Sequence, residues 1–205
     1  MSMLDRRIEM NQDTYQEVVR FHGHSCPGLA MGYRMTQAAL KFLGEQRSPD
    51  EEMVAIVEND ACGVDALQYL SGCTFGKGNL IFRDYGKHVY TLYDRGTHRG
   101  VRISFKVEKL PEALRGKREE MVQWILSAPE QEVIDIKEVK IEEPQKARIM
   151  KSVICDFCGE AVMETRATAI DGKRACIPCA KKIEGKDFSE QNTANGFDHA
   201  KEEDL

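Results

Sequence analysis

The chain contains no apolar run approaching membrane-spanning length, whereas a spanning helix needs about 20 mostly apolar residues. Its opening stretch, MSMLDRRIEMNQDTYQEVV, is charged throughout and has no hydrophobic segment of the kind a secretory leader requires. These absences predict a cytoplasmic protein with no membrane partner. The basic excess of a dedicated nucleic-acid binder is also missing, because the formal net charge is -5. Seven cysteines are an odd number, and without a leader a disulfide framework gives way to metal or thiol chemistry. No G-x-G-x-x-G follows a strand pattern, no Walker A spacing occurs and no nucleophile elbow is present. Nicotinamide-dehydrogenase and serine-hydrolase readings therefore have nothing to stand on.

What is present divides into a larger and a smaller part. Apolar residues at Tyr15, Val18, Val19 and Phe21 predict a short helix from Asp13 to about His22. Pro27 suits a first helical position and Gly44 a C-terminal stop, which predicts a second helix between them. MVAIVE, Met53 to Glu58, reads as a buried strand, and NDACGVDALQYLSG as a strand-to-helix turn capped by Asn59 or Asp60 and closed by Gly72. GNLIFRDYG, HVYTLYDRG and GVRISFKVE predict an antiparallel meander. A helix follows within Gly116 to Ala128, and VIDIKEVKIE predicts a last strand. Residues 1–144 are thus expected to form an α+β core domain, with helices packed on an antiparallel or mixed sheet. Composition changes after Pro144, so residues 145–185 are expected to form a small second module. Residues 186–205 read as a polar, acidic tail with almost no apolar pattern.

The smaller part carries the sharper signal. Cys155, Cys158, Cys176 and Cys179 spell C-x2-C-x17-C-x2-C, a spacing that sets four thiolates around one tetrahedral Zn2+. Between the pairs, an Asp171-Gly172 turn predicts a hairpin, and IPCAKKI predicts a helix carrying the last ligand. A module this small folds largely on its metal. Arg148, Lys151, Arg166, Lys173, Arg174, Lys181 and Lys182 make it basic. That charge suits a solvated face, a protein partner or, less well with Phe157 as the nearby aromatic, nucleic acid.

The core holds a second concentration of ligand chemistry in FHGHSCPGLAMG, Phe21 to Gly32. Pro27 biases Cys26 toward extended backbone, and an extended segment would project His22, His24 and Cys26 from one side. Cys26 would then stand at a helix N-terminus, where unpaired N–H groups face its sulfur. The stretch ENDACGVD puts Asn59, Asp60 and Cys62 at another strand-to-helix turn. If the two turns meet, His22, His24, Cys26, Asp60 and Cys62 form a mixed N/S/O metal site, with an open position if it is catalytic. Thiol chemistry with Cys26 as nucleophile and His22 or His24 as base is a further reading. A tight turn with a capping histidine, and cysteines serving as small hydrophobes, is the plain alternative. GCTFGKGN adds Cys73 and Lys77, the latter an anion binder or part of an ordinary turn.

Taken together, FHGHSCPGLAMGYR, VENDACGVDALQYLSGCTFGKGNLIFRDYGKHVYTLYDR and the trailing cysteine module resemble the E-subunit family of formylmethanofuran dehydrogenase, in its long form with a C-terminal zinc finger. The resemblance implies an α+β core with a Cys/His-lined active site, a treble-clef or zinc-ribbon-like finger and a homodimer. Carried onto this chain, the implied catalytic residues are His24, Cys26, Asp60 and Cys62. Asn59, Cys73 and Lys77 are the implied cofactor-binding residues, and His22, His24, Cys26 and Cys62 would hold a transition metal distinct from the finger's Zn2+. No ferredoxin-type cysteine run is present, so the expected role is that of an accessory protein, associated with a formylmethanofuran dehydrogenase-like complex, and not of its redox component. The rival readings are a zinc-finger regulator whose basic module contacts nucleic acid or a protein partner, and a dimeric scaffold without an active site.

Overall fold

A computed structural model describes residues 14–45 and 47–185; the expected acidic tail lies outside them. The chain divides into two compact units, residues 1–147 and 148–205.

In the first unit, helix α1 covers residues 14–22 and α2 spans Pro27–Leu43. Cys26 is the N-cap of α2, in extended conformation with φ -151° and ψ 161°, and Gly44 closes the helix in the left-handed region. Strand β1 (Met53–Val57) is buried along its length and leads to α3 (Gly63–Ser71), which Gly72 stops. Strands β2 (Leu80–Phe82), β3 (Val89–Asp94) and β4 (Arg99–Phe105) follow. Then come α4 (Arg118–Ser127), the one-turn α5 (Glu130–Val133) and β5 (Ile134–Val139).

The sheet order is β2-β1-β3-β4-β5. β1 pairs antiparallel with β3, β3 with β4, and β4 with β5, while β2 lies parallel to β1 with Ala55 opposite Leu80. The sheet is therefore mixed, and the expected three-strand meander is shortened to the β3–β4 hairpin. β2 reaches β1 through α3, and a chain that crosses over on a helix returns parallel. Met53, Ala55 and Val57 on β1, Leu92 on β3 and Val101 and Ile103 on β4 share one core with Leu29, Met35 and Ala39 of α2 and Leu67 of α3.

Two glycines explain how α2 and α3 fit together. A methyl group at Gly32 would lie 2.2 Å from the carbonyl oxygen of Gly63, and one at Gly63 would lie 2.5 Å from the Tyr90 hydroxyl. Only the absence of side chains at both positions lets the first turns of the two helices touch. Arg34 ties α2 to the end of α4, donating to the carbonyls of Ile125, Leu126 and Ala128 at 2.7–2.8 Å.

The second unit comprises two hairpins and a helix: β6 (Ser152–Ile154) with β7 (Ala161–Met163), β8 (Ala167–Ile170) with β9 (Lys173–Cys176), and α6 (Ile177–Ile183). Asp171 and Gly172, with φ 48° and 74°, make the β8–β9 turn, the positive-φ pair that a two-residue hairpin loop demands.

Candidate metal and ligand site

The packing of α2 on α3 determines what the core site contains. Cys26 and Cys62 are the N-cap residues of these two helices, so bringing the first turns together at Gly32 and Gly63 brings the two sulfurs together. Cys26 Sγ accepts from the Leu29 N–H at 3.4 Å, the bond by which an N-cap satisfies an orphan donor. The predicted caps Asn59 and Asp60 lie further upstream, and Cys62 takes the cap position.

His22 arrives by a different route from the extended segment expected of it. It ends α1, and Gly23 (φ 100°) turns the chain sharply, with its N–H bonded to the Val19 carbonyl. A left-handed turn of this kind is open to glycine at no steric cost. The turn sets the His22 and His24 rings 4.5 Å apart, tilted by 43°. His22, His24, Cys26 and Cys62 thereby offer four ligand atoms within 4.8 Å of one another. Cys26 is buried, His22 and Cys62 are half-buried and His24 is exposed.

Asp65, on the first turn of α3, is a member of the site that the sequence pattern does not single out. Its Oδ2 lies 2.7 Å from His22 Nδ1. The carboxylate accepts the Nδ1 proton, which leaves the Nε2 lone pair as the donor available to an ion. His22 Nε2 is buried and has no hydrogen-bond partner. The signal that could have found Asp65 is its place three residues after Cys62, on the helix face that carries the site.

A cavity of about 390 Å³ opens beside this group, outside the C-terminal end of β1, the common position for a cleft in an α/β arrangement. His22, Cys62, Asp65, Asn59 and Asp60 contribute its polar wall. Val57, Leu80 and the rings of Phe75 and Phe82 contribute its apolar one. Among the described residues two buried side-chain polar atoms lack a partner, His22 Nε2 and Asn59 Oδ1, and both belong to residues lining this cavity. Beneath it, burial first, then Cys62 and Asp65 nearby, pushes the Tyr90 phenol well above its ordinary pKa, so it stays protonated.

Two residues grouped with this site on sequence lie elsewhere. Cys73 is fully buried, its Sγ donating to the Met53 carbonyl at 3.4 Å, and burial pushes its thiol up to about 11. It is a packing residue of the core, not a member of the ligand group. The Lys77 ammonium donates to the carbonyls of Pro49 and Asp50 at 3.4 and 3.2 Å and does not line the cavity. Both follow Gly72, which turns the chain away from the site at the far end of α3.

In the second unit, Cys155, Cys158, Cys176 and Cys179 also place their sulfurs within 4.8 Å of one another. The knuckle and hairpin interlock: Asp156 N–H donates to the Arg174 carbonyl at 2.8 Å, Arg174 N–H returns to Asp156 Oδ2 at 2.6 Å, and Cys176 N–H donates to Cys155 Sγ at 3.3 Å. That last bond is the main reason the Cys155 thiol falls to about 6. Cys179, hydrogen-bonded first to Cys176 and crowded by the other sulfurs, is pushed up to about 12. Four thiols at this range share protons until a cation takes their place, and an all-sulfur tetrahedral set suits Zn2+.

The molecule is thus an α+β domain with a Cys/His ligand group, carrying a separate C4 module. Residues 21–135 match the family model described as FmdE, molybdenum formylmethanofuran dehydrogenase operon, which is more than half of the chain; the protein belongs to the FmdE family. Residues 149–185 match the prokaryotic dksA/traR C4-type zinc finger, so this is the long form that carries a C-terminal finger. A relative from Archaeoglobus fulgidus, named a probable S-adenosyl-L-methionine-binding protein, is 33% identical, covering 78% of this chain and 50% of its own length. The chain therefore spans about half of that curated relative. A crystal structure of an FmdE-like protein of the tungsten formylmethanofuran dehydrogenase type, from Syntrophus aciditrophicus, superposes with a TM-score of 0.61 at 28% identity, covering 84% of this chain and 92% of that one. No helix among the described residues is long and apolar enough to cross a membrane.

Proposed function

We propose that this protein is a metal-binding accessory protein whose core domain holds a transition-metal ion through His22, His24, Cys26 and Cys62 and presents it to a small molecule in the adjoining cavity. The observation that carries this reading is His22: its Nε2 is buried without a partner, its Nδ1 is held by Asp65, and it lies in a group of ligand atoms within 4.8 Å. Burying a polar atom unpaired is costly, and a cation is the partner that this donor set supplies. Two nitrogens and two sulfurs suit Zn2+ or another ion of borderline softness.

His24 is the exposed ligand of the group and the one that an incoming molecule can replace, which would create the open position of a catalytic centre. Asp60, which lines the cavity, would orient or deprotonate that molecule. The C4 module is a structural zinc site in this reading. The family supports two further proposals, that the protein associates with a formylmethanofuran dehydrogenase-like complex and that it forms a homodimer. The regulatory reading of the basic module has less behind it, because Phe157, its aromatic platform, already has the Lys173 ammonium 5.9 Å from its ring centre.

The test is elemental analysis of anaerobically purified wild type beside a Cys26→Ser/Cys62→Ser variant, with circular dichroism to check that both are folded. Two ions per chain in the wild type and one in the variant is the expected result. One ion in both rejects the core metal centre.

A further inference from the structure

His22 Nε2 accounts for one of the two orphan atoms on the cavity; the other, Asn59 Oδ1, is not explained by a metal. Asn59 is 7% exposed. Its Nδ2 lies 3.0 Å from His88 Nδ1. With the amide N–H donating to that ring nitrogen, the carboxamide is oriented and its oxygen is left as an acceptor with nothing to accept.

The remaining polar wall repeats the same character. Asp60 and Asp65 are acceptors, and no lysine or arginine lines the cavity among the described residues. The wall thus has no cation for a phosphate or a carboxylate and has acceptors for a molecule rich in N–H groups. Opposite these acceptors, the Phe75 and Phe82 rings are 82% and 47% exposed. Exposed aromatic rings on a cavity rim offer stacking faces for a planar ligand. A volume of about 390 Å³ lies in the range of small-molecule pockets.

From this juxtaposition of an orphan acceptor, an acidic wall and exposed phenyl rings, we propose that the cavity binds an uncharged or cationic amino-substituted aromatic heterocycle of the adenine type, whose exocyclic amino group donates to Asn59 Oδ1 while the ring stacks on Phe75 or Phe82. His88 is a positioning residue in this arrangement, since it acts through the Asn59 carboxamide. The proposal rests on the metal reading only in taking this cavity as the working face of the core; the acceptor wall stands without the ion.

Calorimetric titration of the full chain with three probes tests it: adenosine, purine riboside, which lacks only the amino group, and adenosine 5'-monophosphate, which adds a phosphate. Adenosine is expected to bind. Purine riboside is expected to bind about tenfold or more weakly, because the acceptor then stays unpaired, and the monophosphate to bind more weakly than adenosine because of Asp60 and Asp65. Asn59→Leu should abolish the difference between adenosine and purine riboside. His88→Leu, which keeps the acceptor but frees the carboxamide to turn, should shrink it. Absence of adenosine binding to the wild type, equal binding of purine riboside, or a preference for the monophosphate each overturns the proposal. Circular dichroism melts of the variants establish that they are folded, and the wild-type probe series decides the question even if a variant is not. Metal content measured on the same samples separates the two readings: a core ion with no adenosine binding sinks this inference alone, and adenosine binding with no core ion sinks the metal centre alone.

Discussion

The two cysteine-bearing regions reach the same ligand density by opposite means. In the C4 module the buried residues are Cys155, Ala175, Cys176 and Ala180, two ligands and two alanines. Burial of so little apolar surface leaves the fold dependent on its ion. In the core, His22, His24, Cys26 and Cys62 sit on helices already packed by residues such as Leu29, Tyr33, Leu67 and Tyr90. There the fold makes the site, and the ion has only to fill it. A site of the first kind is structural by necessity, whereas a site of the second can tolerate an exposed ligand and a cavity beside it.

The widest test of this contrast is metal removal. Chelation under reducing conditions is expected to unfold the C4 module, since structural Zn2+ contributes about 10–16 kcal/mol of apparent binding free energy in zinc-finger peptides, while the core stays folded. Proton–nitrogen correlation spectra would show amide dispersion lost for residues 149–185 and kept for the rest. Simultaneous collapse of the core resonances would erase the distinction.

A smaller effect is expected from Gly32→Ala, which puts a methyl 2.2 Å from the Gly63 carbonyl oxygen and forces the two helix starts apart. A cost of about 3 kcal/mol, the upper end of ordinary overpacking, is expected in a denaturant titration, with loss of the core ion and retention of the finger's zinc. If the core ion survives, the close helix contact is not what assembles the site.

Least disruptive is Asp65→Asn. The amide can still accept from His22 Nδ1 but no longer makes the imidazole more basic. Core-ion affinity should fall by about 10–100-fold with little change in melting temperature, read by competition with a chromophoric chelator. Unchanged affinity would leave Asp65 with no part in tuning His22.

The local parts of this protein are legible in its sequence because local chemistry builds them. Pro27 and Gly44 bracket α2, Gly72 ends α3, and Asp171-Gly172 turns the β8–β9 hairpin, as their backbone preferences require. The parallel placement of β2 is not legible: LIF has the composition of a hairpin strand, and only the crossover through α3 fixes its direction. Asp65 is inconspicuous because one aspartate on a helix's first turn is an ordinary capping choice, and its role emerges only with His22 2.7 Å away. His88 reads as a polar strand-edge residue until Asn59 is found beside it.

By its own letters the sequence determined the C4 spacing, the helix stops and the presence of histidine and cysteine at two strand-to-helix or helix-to-helix turns, because each depends on residues within a few positions of one another. Tertiary structure alone decided that Cys26 meets Cys62, that Cys73 and Lys77 do not join them, and that two orphan polar atoms share one cavity. The physical reason is that distant segments are brought together by the packing of whole faces, here two glycines that let α2 and α3 touch, and no single residue's preference encodes which faces will meet.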